Sequence, residues 1–101
     1  MQVLFTFEGQ TLVVKLIGEL DEHCAELVRR KIDAAIQEKS FSAMVLDLSR
    51  MSFMDSTGIG VVIGRYKLLR KTNRKMYVRS PSVTVDKIFA MSGLYEIIER
   101  I

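Results

Sequence analysis

The sequence predicts an α/β domain built on a mixed sheet of four to five strands, with an N-terminal β-hairpin and parallel βα units in the order β-β-α-β-α-β-α. Three observations lead there. Val3, Phe5 and Phe7 alternate with Leu4 and Thr6, and after Gly9-Gln10 a second run, Thr11 to Ile17, puts Leu12, Val14 and Leu16 on one face. Two period-two runs joined by so short a turn form an antiparallel hairpin. Beyond them, stretches with apolar spacings of three and four alternate with short apolar runs, the pattern of right-handed βαβ crossovers. The chain has 101 residues, 49% of them hydrophobic, which suits one core and one domain spanning 1–101.

Each element follows from local pattern. Gly18-Glu19-Leu20-Asp21 closes the second strand, and Asp21 is placed as the N-cap of a helix from Glu22 to Lys39, because a carboxylate there accepts from free backbone N–H groups. Cys24, Leu27, Val28, Ile32, Ala35 and Ile36 give that helix an apolar stripe, with Arg29, Arg30, Asp33 and Glu38 on its wet side. Ala43 to Leu48 is apolar on both faces and reads as a central strand covered on both sides. Ser49 to Asp55 is read as a connection. Ser56 to Thr72 forms the next helix, with Ile59, Val62, Ile63, Tyr66 and Leu69 facing inward. Lys75 to Arg79 is a strand. Pro81 stands just inside a last helix, capped by Ser80 or Ser82, with Val85, Ile88 and Phe89 buried and Gly93 as its stop. Leu94 to Ile98 adds an edge strand or a final turn.

Composition narrows the function. One Cys and one His, adjacent at His23 and Cys24, supply neither a disulfide nor a usual zinc site, so no metal and no cofactor is expected. The N-terminus carries no basic leader with a small-residue cleavage site, and no apolar run approaches a membrane span; the expected location is cytoplasmic, with no membrane partner. The net charge of +3 is unevenly spread: residues 1–64 hold six basic and nine acidic side chains, residues 65–101 nine and three. Seven basic residues and no acidic one fall between Arg65 and Arg79. That run reads as a solvated helix face plus a turn, with phosphate or nucleic-acid binding as the alternative. No aromatic interleaving favours single-strand stacking there, and no direct nucleic-acid contact is expected.

The chemically informative stretch is Met54-Asp55-Ser56-Thr57-Gly58-Ile59-Gly60, at a helix start after the central strand. Gly58, Gly60 and Gly64 match neither a P-loop, which needs a Gly-Lys-Ser/Thr start, nor a GxGxxG fingerprint. Met54 two residues before Ser56 breaks the GxSxG elbow. Self-contained catalysis is therefore not expected. Gly60 and Gly64, four apart, are read as packed against the sheet, and Gly58 as leaving backbone N–H groups open to a partner or an anion. Ser56 is an ordinary N-cap or a hydroxyl offered to another protein's active site. A phosphate there adds ~−1.5 to −2 charges at the positive end of the helix. A small nucleotide-binding domain remains the alternative from another class.

Gly18-Glu19-Leu20-Asp21, Ser52 through Gly58, Gly64-Arg65-Tyr66-Lys67 and Met91-Ser92-Gly93-Leu94 together resemble the STAS-domain anti-sigma factor antagonists, nearest the branch acting in the sporulation sigma-F switch. The resemblance runs along nearly the whole chain and implies a STAS-type sheet and a binding module, not an enzyme. It implies that the unphosphorylated form binds an anti-sigma factor with serine kinase activity and so releases a sigma factor. It further implies that Ser56 is the residue phosphorylated, that a PP2C-type phosphatase restores the active form, and that Asp21 lies near Ser56 and contacts the kinase. The partner surface expected on this basis is Asp21, Asp55, Ser56, Thr57, Gly58, Ile59 and Gly60. A general stress circuit is the alternative within the same family.

Overall fold

Strand β1 (Gln2–Glu8) turns back through Gly9, at φ +62°, into β2 (Thr11–Leu20). The chain continues through α1 (Ala25–Glu38), β3 (Ala43–Asp47), β4 (Met51–Met54), α2 (Ser56–Arg70), β5 (Lys75–Arg79) and α3 (Val83–Met91). A 3-10 turn over Leu94–Glu96 leads to β6 (Glu99–Arg100). The structure, a computed structural model, describes residues 1–101. No helix is long and apolar enough to cross a membrane.

The sheet runs β1-β2-β3-β5-β6, with β4 paired to β2 off that path. Only β1–β2 is antiparallel; the remaining pairs are parallel. The hairpin and the parallel βα units are as the periodicity predicts, but there are six strands, not four or five. The extra pairing comes from β2, whose ten residues serve two partners. Thr11–Lys15 pair with β3, and Gly18–Leu20 pair with β4 after a register shift at Gly18 and Glu19. Gly18 sits at φ +114°, a conformation strained for any L side chain, and its N–H donates to Arg50 O at 3.0 Å. The segment Ser49 to Asp55, read as a connection, thus contains the four-residue strand β4. At the other end, Leu94 to Ile98 forms the 3-10 turn and delivers the edge strand β6 immediately after it.

One face of the sheet carries the core. Leu12, Val14, Leu16, Met44, Leu46 and Val78 join Val28 and Ile32 of α1, Val62 and Leu69 of α2, and Val85 and Phe89 of α3 in a single cluster. Val13 and Val45 are also buried but lie outside that cluster, on the opposite face. The register aligns Thr6, Val13, Val45 and Tyr77 in one row across that face. The ion pair between Arg79 Nη1 and Glu8 Oε1, at 3.1 Å, joins residues of the two flanking rows. Strand β3 is thus covered on both sides as its apolar run predicts, by the helices on one face and by long side chains over the valines on the other.

Helix boundaries follow the caps. Ser82 Oγ accepts from Val85 N at 3.2 Å, so Ser82 is the N-cap of α3 and Pro81 stands before it rather than inside. Gly93, at φ +81°, follows the helix end as the sequence implies. In α2 the buried stripe is Gly58, Val61, Val62, Arg65 and Leu69, rotated from the predicted one, with Ile59, Ile63 and Tyr66 partly buried. The rotation places a guanidinium in the helix–helix contact. Arg65 Nε lies 2.7 Å from Asp33 Oδ1 of α1, without the alignment of a hydrogen bond and with no other partner for either atom. The contact is thus an ion pair that moves Asp33 from the wet side into the seam between the two helices.

Candidate functional site

Parallel strands β2 and β4 end at the same edge of the sheet, and the loops that follow them meet there. Asp55 joins them. Its backbone is extended, at φ −100° and ψ −172°, and its side chain caps α2: Oδ1 accepts from Gly58 N at 2.9 Å. Its other carboxylate oxygen, Oδ2, accepts from Glu22 N at 3.2 Å, across 33 residues of sequence. Its own N–H donates to Leu20 O at 3.3 Å. One side chain therefore fixes both the start of α2 and the turn that carries Asp21.

Asp21 does not cap a helix beginning at Glu22. Residues 21–24 form a turn, Asp21 Oδ1 accepts from His23 N at 3.0 Å, and α1 starts at Ala25 with Cys24 as its N-cap. The Cys24 thiol donates to Glu19 O at 3.2 Å, holding the turn against the end of β2. Partial burial raises the Asp21 pKa, but the N–H groups of His23 and Cys24 and the nearby imidazole outweigh it and hold the carboxyl below its usual value. Asp21 is thus a fixed negative charge beside the start of α2.

Ser56 is the first residue of α2 and is exposed. Because Asp55 supplies the cap, the Ser56 hydroxyl has no capping duty, and the N-cap reading of Ser56 is removed. Thr57 and Gly60 are exposed and Ile59 is half-buried. Gly58 differs from its sequence reading. Its N–H is taken by Asp55, and a Cβ built there falls 2.3 Å from Leu20 O and 3.1 Å from Met54 Cβ. Gly58 is the glycine required by close packing, whereas a Cβ at Gly60 or Gly64 meets nothing within 4 Å. The two glycine assignments are thus exchanged: Gly58 lies under the end of β2, and Gly60 and Gly64 point to open space.

A groove of about 290 Å³ between α1 and α2 opens beside Thr57 and Gly60, walled by Glu26, Arg29 and Arg65. Its charges are paired, Arg29 with Glu26 and with Asp33, and Arg65 with Asp33. The groove therefore offers no surplus positive charge to a nucleotide phosphate. Phe53, on β4 three residues before Ser56, is 42% exposed. It is an exposed aromatic side chain on β4 that the sequence reading did not single out. The one available signal was the spacing of Met51 and Met54, whose burial defines β4.

A STAS domain model matches residues 2–101. The chain belongs to the STAS domain family. Among curated proteins, this STAS domain is 39% identical over 97 residues to the anti-sigma F factor antagonist of Paenibacillus polymyxa, covering 96% of this chain and 83% of that one. It is 41% identical over 85 residues to the anti-sigma F factor antagonist of Lysinibacillus sphaericus, covering 84% and 73%. Its fold is similar to that of the anti-sigma factor antagonist SpoIIAA in its unphosphorylated form, with TM-score 0.83 and 35% identity over 99% of this chain and 88% of that one. The phosphorylated form of the Bacillus SpoIIAA matches with TM-score 0.75 and 34% identity, over 99% and 91%. The predicted fold class and family resemblance are both borne out. These relatives are named as regulators, and one of them is known in a phosphorylated state.

Proposed function

We propose that this STAS domain is an anti-sigma factor antagonist switched by phosphorylation of Ser56. In its unphosphorylated form it binds an anti-sigma factor that is also a serine kinase, and so frees a sigma factor; a PP2C-type phosphatase reverses the modification. The observation that carries the reading is the exposed, uncapped Ser56 at the first position of α2, beside the ordered charges of Asp55 and Asp21. The names and identities of the sigma-F relatives support that circuit over the general stress alternative.

The geometry explains why a phosphate acts on binding and not on folding. A dianion at a helix N-terminus gains ~0.3–1 kcal/mol from the helix dipole, and repulsion from Asp55 offsets part of it. A partner covering the same spot must strip water from that dianion, at a cost of several kcal/mol unless a cation meets it. Asp21, Asp55, Thr57, Ile59 and Gly60 form the partner surface around Ser56, and Gly58 positions that surface without being exposed on it. Incubation with the anti-sigma factor kinase and ATP, followed by intact-mass measurement, tests the assignment. One phosphate is expected on the wild type and on Thr57→Ala, and none on Ser56→Ala; stoichiometric phosphate on Ser56→Ala would refute it.

A further inference from the structure

The basic run from Arg65 to Arg79 is divided by the fold. Arg65 is paired with Asp33, and Arg79 with Glu8 and Asp47. Arg74 lies over the Phe41 ring, 4.5 Å from its centroid, and donates to Ile36 O at 3.3 Å. Arg70 and Lys75 have no carboxylate within ion-pair distance, and both are exposed. They face a groove of about 540 Å³ between the C-terminal half of α2 and the β5–β6 edge, with Arg74 as a third cation in the wall. The rest of the lining is largely apolar. Tyr66 and Tyr77 are half-buried, Met76 is buried, and Ile97 is 42% exposed.

We infer that this groove is a second docking surface, for an acidic polypeptide segment carrying apolar side chains. Charge complementarity selects an anionic occupant: three cations stand against the single carboxylate of Glu99. The apolar lining selects a polypeptide over nucleic acid, because a phosphate backbone gains nothing from Ile97. A peptide places carboxylates on Arg70 and Lys75 while an apolar side chain covers Ile97 and the tyrosine rings. Helix α2, with 15 residues, separates this groove from Ser56 by about 20 Å at ~1.5 Å per residue. That is beyond the ~8 Å screening length at physiological salt, so docking here is insensitive to the phosphate. The inference goes beyond the Ser56 switch and stands without it.

Fluorescence anisotropy with a labelled peptide of alternating glutamate and leucine, at low ionic strength, tests the groove. Wild type is expected to bind, with affinity falling as salt rises. Arg70→Glu combined with Lys75→Glu is expected to weaken binding about tenfold or more. The milder pair Arg70→Gln with Lys75→Gln is expected to fall between. Lys31→Glu combined with Lys39→Glu makes the same change of net charge on and just beyond α1 and is expected to leave affinity within about twofold. At physiological ionic strength, where ~20 Å exceeds the ~8 Å screening length, Ser56→Asp should bind the peptide as wild type does, which separates this surface from the switch. Absence of binding, an equal loss in both charge-reversed pairs, or tighter binding of an oligothymidylate of equal charge would each overturn the inference.

Discussion

Gly58→Ala probes the joint between stability and the switch surface. A methyl at this position falls 2.3 Å from Leu20 O, 3.0 Å from Leu20 Cγ and 3.1 Å from Met54 Cβ. The nearest of these is a backbone atom, so β2 or the first turn of α2 must move. Alanine gains ~1 kcal/mol of helix propensity over glycine. Overpacking of this severity costs ~1–3 kcal/mol, and displacing Leu20 O also strains its bond from Asp55 N, at 3.3 Å, a loss of ~1 kcal/mol. The net expectation is a destabilisation of about 1–3 kcal/mol, or ~4–24 °C in Tm at ~4–8 °C per kcal/mol for a domain of this size. Gly60→Ala keeps the propensity gain with nothing within 4 Å to clash, so its Tm is expected to rise ~4–8 °C. Thermal and urea unfolding followed by circular dichroism measure both. If Gly58→Ala is as stable as Gly60→Ala, the packing argument fails.

The other predictions concern the bonds that fix this site and the seam behind it. Asp55→Ala removes the cap on Gly58 N and the link to Glu22 N and is expected to cost ~1–2 kcal/mol in urea unfolding, with partner affinity reduced as the Asp21 turn comes loose. Asp33→Ala leaves the Arg65 guanidinium buried without its partner, an expected loss of roughly 3 kcal/mol, whereas Asp33→Leu with Arg65→Met should be close to neutral by the same assay. Asp47 sets part of the acid limb. Burial raises its pKa, but Ser49 Oγ and N–H and the Arg79 guanidinium outweigh it and hold the carboxyl below 3.8. That stability is complete above the unfolded pKa of about 4 and is lost as pH falls through the lower folded value, so Asp47→Asn should flatten Tm against pH below about 4. Phosphorylation of Ser56 should shift Tm by only a few degrees, since dipole stabilisation and Asp55 repulsion oppose each other.

Much of the fold was legible because burial here follows two simple periods. The hairpin shows in the alternation of Leu12, Val14 and Leu16, and α1 in the spacing of Val28, Ile32, Ala35 and Ile36. Strand β4 was not legible: it has four residues, and its two buried ones, Met51 and Met54, flank two exposed residues instead of alternating with them. The glycines misled for a related reason. A residue without a side chain carries no polarity signal, so only the path of β2 over α2 distinguishes Gly58 from Gly60. The Asp33–Arg65 pair and the bridge from Asp55 to Glu22 join residues more than thirty apart, and local pattern does not report such contacts. Ser56 itself was placed correctly at a helix start. That Asp55 takes the cap, leaving Ser56 uncommitted, required the coordinates.

The central claim is that one phosphate on Ser56 decides whether the partner binds. Its most direct test is calorimetric titration of the anti-sigma factor kinase with the unphosphorylated protein and with the same protein phosphorylated on Ser56. Binding of the unphosphorylated form and a loss of about a hundredfold or more on phosphorylation, near 2.7 kcal/mol, is the predicted result. Equal affinity of the two forms would contradict the account.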